Sequence, residues 1–221
     1  MSAAPAKLTI DIVSDVVCPW CVIGYRGLER ALEAMRDRVE ATVTWHPFEL
    51  APGTPPEGQP LADYSRERYG ATPEQSEAAR DRIRSAGAPL GITFGYSPDS
   101  RIYNTFKAHQ LLHWAGEKGR QTELKLALFN AYFAVQDNVS DDAVLLDAVA
   151  AVGLDRAEAT AVLSDGRYAG TVRAEENYWA EQNITGVPAI IFDQKFMVPG
   201  AQSAETFADV INKVLAKREA A

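Results

Sequence analysis

Apolar and β-branched positions dominate residues 8–13 (LTIDIV) and predict a short strand. Pro19 suits the first position of a helix, where no N–H is required, and Leu28, Leu32 and Met35 then recur at helical spacing to about Arg38. Residues 41–50 (ATVTWHPFEL) predict a second strand, closed by the Pro- and Gly-rich stretch Pro52–Gly58. From Leu61 to Gln182 the texture changes to Ala, Glu, Leu and Arg, which reads as helix. Leu124, Leu128, Tyr132 and Val135 share one helical face there, as do Leu145, Ala148, Val149 and Val152. Asn104, Ser140 or Asp141, and Asp155 are expected N-caps. Strands return at Pro188–Asp193 and Lys195–Val198, before a helix from about Ser203 to Lys217.

The order is βαβ, a helical stretch, then ββα. That is the element order of a thioredoxin fold interrupted between its halves, an α/β class with a large all-helical insertion. The expected division is residues 1–58 and 183–221 for the thioredoxin-like part and 59–182 for the insertion.

Composition narrows the function classes. The chain has 221 residues, 47% hydrophobic and 24% charged, enough for a proper core and too apolar for dominant disorder. With 22 basic against 30 acidic residues the net charge is −8, which repels phosphate backbones and anionic lipid. Nucleic acid and membrane surfaces are therefore not expected partners. The N-terminal residues show no basic and apolar leader pattern, so a cytoplasmic location is expected. Only two cysteines occur, Cys18 and Cys21, too few and too close for a disulfide framework.

Their position gives them chemistry. A sulfur at a helix N-terminus meets orphan N–H groups and the positive end of the macrodipole, so Cys18 is expected to ionise readily, with Cys21 more buried and less acidic. Three positions apart on a helix, the two can close and reopen a disulfide, Cys18 attacking and Cys21 resolving. Pro19 and Trp20 lie between them and tune the Cys18 thiolate. Alternatives are a zinc site completed by two of His46, His109 and His113, or an inert buried pair. The helix-start position and the Pro-Trp spacer favour redox use, and no metal is expected. Val187-Pro188, just ahead of the PAIIF strand, reads either as an edge device or as a cis peptide facing the cysteines, where the Val187 backbone would meet an extended substrate. Asp11 either relays the Cys21 proton or sits on a solvated strand face.

With C-P-W-C after a strand, W-H-P-F-E-L in the second, N-T-F-K-A-H-Q-L-L-H-W-A in the insertion and T-G-V-P-A before the third, the chain resembles the DsbA-like thioredoxin oxidoreductases of the FrnE type. The resemblance runs over nearly the whole length. It implies a cytosolic dithiol-disulfide oxidoreductase or isomerase, with Cys18 and Cys21 as the redox pair, Pro188 as the cis proline, and a protein or small-molecule thiol or disulfide as substrate. The same architecture is shared with kappa-class glutathione transferases and 2-hydroxychromene-2-carboxylate isomerases, which carry serine in place of Cys18. Glutathione-dependent transfer or isomerisation is thus the alternative activity. No tightly bound cofactor is implied, glutathione is a candidate co-substrate, and a homodimer is a candidate assembly. Asn104, His109, Ala201 and Gln202 are implied as substrate or glutathione contacts, whereas Gln110 and Ala51 depart from the pattern the family leads one to expect.

Overall fold

A computed structural model describes residues 4–219; residues 1–3 and 220–221, which the expected domain bounds include, lie outside the described residues. Strand β1 (Ala6–Ser14) is the centre of the fold. It pairs in parallel with β2 (Val39–Pro47) and antiparallel with β5 (Ala189–Phe192), and β6 (Phe196–Pro199) completes the sheet order β2-β1-β5-β6. The two faces of its second half pack into separate apolar clusters, Ile12 on one side and Val13 on the other. Accordingly Ile12, Val13 and Ser14 are all fully buried, and strict alternation survives only in its first half.

Helix α1 (Pro19–Ala34) crosses from β1 to β2, burying Cys21, Val22, Tyr25, Leu28 and Ala31. It ends one turn before the expected Arg38, at Met35. Helix α9 (Ala204–Glu219) lies beside it and buries Phe207, Ile211 and Val214. The approach is close at Gly27, where a Cβ would stand 2.5 Å from the Gln202 carbonyl oxygen. The second strand stops at Pro47, short of the expected Leu50, because the Leu50 N–H turns inward to donate to Asp15 Oδ2 at 2.7 Å.

The stretch between the halves is helical, as the sequence implies. Its helices are α2 (Leu61–Tyr69), α3 (Pro73–Gly87), α4 (Phe106–Glu117), α5 (Gln121–Asn130), α6 (Asp142–Ala151), α7 (Arg156–Asp165) and α8 (Ala169–Glu181). It also holds a two-residue strand pair that the pattern does not reveal, β3 (Gln59–Pro60) against β4 (Arg101–Ile102). Asp141 and Asp155 cap α6 and α7 with their side chains. The α4 cap position falls to Thr105, while Asn104 Oδ1 accepts from the Phe106 N–H at 2.9 Å. Val135 leaves the expected helical face and is 58% exposed. Beyond α5 the chain widens into a π-type turn at Ala131–Val135, and the extra residue per turn rotates Val135 outward.

One contiguous apolar core runs from Leu8, Ile10 and Leu28 of the sheet layer into Leu111, Leu124 and Leu128 of the inserted helices. The join is also polar. Gln121 Oε1 accepts from the Trp45 N–H and Gln121 Nε2 donates to the Trp45 carbonyl, both at 2.9 Å, while Trp45 Nε1 donates to Thr122 Oγ1. A side-chain amide thus satisfies the open edge of β2, and α5 blunts an edge that would otherwise invite pairing.

A second polar join lies on the sheet face beneath α8. His46 Nε2 donates to Asp11 Oδ1 at 2.9 Å and Nδ1 to Glu175 Oε2 at 3.2 Å, and Glu175 Oε1 accepts from His113 Nδ1 at 2.9 Å. Burial opposes the His46 imidazolium, but Asp11 and Glu175 outweigh it and raise its pKa above 6.5. His113 is raised too, first by its bond to Glu175. Glu175 is opposed by burial but pulled down from 4.5 to about 2 by the two histidines. The raised imidazoles stabilise the fold below their unfolded pKa and lose that contribution as pH rises through the folded values. The lowered Glu175 contributes above 4.5 and loses it on the way down to about 2. The contribution of this cluster, on the order of 1 kcal/mol, is therefore greatest between roughly pH 4.5 and 6.5. Glu175→Gln is expected to flatten both limbs of the plot of denaturant midpoint against pH. An unchanged profile would refute this origin of the pH dependence.

Candidate active site

The β1–α1 junction sets the site. Cys18 is the N-cap of α1, in extended conformation (φ −92°, ψ 112°) with no side-chain cap, and Pro19 follows at the start of the helix. The Cys21 N–H donates to the Cys18 carbonyl at 3.1 Å, so both sulfurs fall within the first turn. Both cysteines are free thiols in the structure. Cys18 is 3% exposed and Cys21 fully buried. Across from them the Val187-Pro188 peptide is cis, and the Cys18 thiol donates to the Val187 carbonyl at 3.6 Å. The strand after it begins at Ala189 rather than at the proline, and the Gly200 N–H donates to the Pro188 carbonyl at 2.8 Å.

The two thiols share their acidity as one coupled pair, which an argument from Cys18 alone does not include. The Cys18 thiol, hydrogen-bonded to Cys21 and buried, has its pKa pushed well up. Burial also opposes the Cys21 thiolate, but hydrogen bonds from Cys18 and Ser14 and the Lys125 charge outweigh it and lower the Cys21 pKa. The helix-terminus argument for Cys18 omitted the neighbour that competes for the same negative charge. A buried dithiol loses one proton readily and holds the second between its sulfurs.

Beneath the pair lies a set of polar residues that sequence reasoning did not single out. Lys125, on α5, is fully buried, with Nζ 3.3 Å from the Ser14 carbonyl and 5.4 and 5.2 Å from the ring centres of Trp45 and Phe129. Burial lowers its pKa to about 8, against the opposing charges of Cys21, Asp15 and Cys18. Asp15 is fully buried beside it. Its Oδ1 has no hydrogen-bond partner among the described residues and stands 3.5 Å from His109 Nε2. The Ser14 hydroxyl is fully buried as well, and the Cys21 sulfur is the polar group it serves. One signal was in the sequence: Lys125 sits between Leu124 and Leu128 on an apolar helix face, where a charge requires a reason.

Cys18, Pro19, Trp20 and Val187 border one cavity of about 710 Å³ between α1 and the inserted helices α2 and α3. Trp20 is 41% exposed at its edge. The remaining residues expected as contacts lie elsewhere, and none of them lines this cavity. Asn104 donates to Glu49 Oε2 and to the Pro52 carbonyl at 2.8 and 2.9 Å, bracing the loop after β2. His109 points to the Phe48 carbonyl at 3.0 Å. Ala201 packs near Gly24, and Gln202 donates to the Pro199 carbonyl at 3.0 Å. Asp11 bonds to His46 rather than approaching Cys21. His46 and His113 engage Glu175, so no histidine is paired with a cysteine, and no cluster among the described residues could hold a metal ion.

A family model described as a DSBA-like thioredoxin domain matches residues 9–212. The chain belongs to the DsbA-like thioredoxin family. The chain is 29% identical over 204 residues to the uncharacterized protein YwbO of Bacillus subtilis (strain 168), covering 92% of this chain and 95% of that one. The probable DsbA oxidoreductase SCO1869 of Streptomyces coelicolor superposes with a TM-score of 0.86 at 37% identity, covering 95% of this chain and 90% of the other. The cytosolic disulfide reductase DsbM of Pseudomonas aeruginosa, solved with GSH, shares the fold at a TM-score of 0.66 and 15% identity, covering 94% and 99%. The thioredoxin fold with a helical insertion expected from the element order is the fold found, and the resemblance to the DsbA-like family holds.

Proposed function

We propose that this DsbA-like protein is a cytoplasmic thiol-disulfide oxidoreductase working through Cys18 and Cys21. The observation that carries the reading is the cysteine pair in the first turn of α1, with Cys18 at the cavity and Cys21 behind it over Lys125. Only Cys18 borders the cavity, so it is the sulfur that meets a disulfide, passing its proton along the shared hydrogen bond to Cys21. Cys21 must then give up that proton and attack Cys18, closing the internal disulfide and releasing the substrate thiol. Lys125 stabilises the second thiolate. The Val187 carbonyl positions Cys18. Glutathione is the proposed partner that returns the pair to the dithiol, and the cytosolic reductase DsbM, which shares the fold, lends support to a cytoplasmic setting.

Equilibration in graded glutathione buffers, acid quench and alkylation tests this. Two alkyl groups are expected at the reducing end and none at the oxidising end. A midpoint near about −270 mV marks a reductase and one near about −120 mV an oxidant. Two alkyl groups throughout the series would overturn the proposal.

A further inference from the structure

We propose that the substrate taken at Cys18 is a compact anionic disulfide with a flat apolar body, rather than a polypeptide. This rests on the disulfide-exchange reading above and names its substrate class. The cavity of about 710 Å³ has the size of a small-molecule site. Cys18 stands at its wall with only 3% of its surface exposed, and α2 and α3 face it across the space. An extended protein segment needs an open groove to bring its disulfide to such a sulfur. A small molecule needs only the cavity.

Two features of the lining set the chemistry. Flat rings surround the space: Trp20 beside the cysteines, Tyr64 and Tyr69 from α2, and Tyr96 and Tyr132 behind them. Such walls favour a planar, apolar body by stacking and area burial. The charge has one sign. Arg80 and Arg82 are the charged side chains of the lining, and no Asp or Glu is among them, in a chain whose net charge is −8. Arg80 donates through Nε and Nη2 to Glu77, at 2.9 and 2.6 Å. Arg82 has no carboxylate within salt-bridge range among the described residues. Arg82 is thus the cation of the lining left without a carboxylate, and a guanidinium binds a carboxylate or sulfonate in a fixed geometry.

The exchange balances without a further reagent. The Cys18 sulfur bonds to one sulfur of the substrate disulfide, whose S–S bond breaks and releases the first thiolate. Cys21 then bonds to the Cys18 sulfur and the second thiolate leaves. Two electrons pass from the dithiol to the substrate, and the two cysteine protons end on the two released thiols.

The test is a single turnover of the fully reduced chain, followed by stopped flow. The probes are dithiobis(nitrobenzoate), an aromatic dianion; dithiodipyridine, aromatic and neutral; cystamine, an aliphatic dication; and insulin, a protein. Each rate constant is divided by that of dithiothreitol with the same disulfide, which removes leaving-group effects. The normalised rate for the aromatic dianion is expected to exceed that for cystamine by about tenfold or more, with insulin slowest. In the double variant Arg80→Gln, Arg82→Gln the anionic-to-neutral ratio is expected to fall toward the dithiothreitol value. Equal normalised rates for anion and cation, insulin matching the small probes, or a ratio untouched in the double variant would each overturn the assignment while leaving disulfide exchange intact. If no probe oxidises the pair, disulfide exchange itself fails, and the substrate assignment with it.

Discussion

Cys18→Ser is expected to lower the rate of reaction with any disulfide to background, a loss on the order of a thousandfold or more. Cys21→Ser is expected instead to react once and stop, accumulating a mixed disulfide on Cys18. The asymmetry follows from the positions of the two sulfurs. Cys18 borders the cavity, whereas Cys21 is fully buried beneath it and can reach only Cys18. A serine hydroxyl at position 18 would keep the N-cap geometry but cannot form a sulfur-sulfur bond. Mass spectrometry of each variant after exposure to dithiodipyridine distinguishes the cases. A stable adduct on the Cys18→Ser protein, or none on the Cys21→Ser protein, would reverse the assigned roles.

Lys125→Met is expected to show the second-largest effect, on the step that closes the internal disulfide. The Lys125 charge lowers the Cys21 pKa, so its removal raises it, and each unit of increase lowers the thiolate fraction at a pH below that pKa by up to about tenfold. Methionine keeps much of the apolar stem against Trp45 and Phe129 and deletes the charge. The sign with pH is definite. Lys125 carries its charge below about pH 8 and loses it above, so wild type and variant should differ most on the acid side and converge on the alkaline side. The thiolate ultraviolet absorbance and the closure rate of the mixed disulfide, each followed against pH, report the shift. Superimposable titrations would remove Lys125 from the mechanism and leave it a buried structural cation.

Much of the architecture was legible because local pattern and tertiary environment agree. The strand-helix-strand start, the helical middle and the strand-strand-helix end each carry their own periodicity, and C-P-W-C falls at the junction where a helix begins. Legibility failed where a distant contact set the local geometry. Leu50 reads as strand until Asp15 takes its N–H. Val135 reads as core until a π-type turn swings it out. The two-residue pairing of β3 with β4 is too short to leave a periodic trace. Asn104 and His109 stand in a stretch carrying the family resemblance, yet they brace the loop after β2 instead of lining the cavity.

By itself the sequence determined the fold class, the place of the insertion and the two sulfurs that share a helical turn. These are properties of neighbours along the chain, written in hydrophobic period, in Pro19 and in the spacing of Cys18 and Cys21. Only the tertiary structure decided what surrounds the pair and which sulfur faces the cavity. Burial raises the cost of every unshared charge, so the acidity of the pair is set by the hydrogen bond between its own sulfurs, by Ser14 and by Lys125, more than one hundred residues away. The arginines and tyrosines proposed to select a substrate come from the inserted stretch, and they meet Cys18 and Trp20 only where the insertion docks on the thioredoxin-like part.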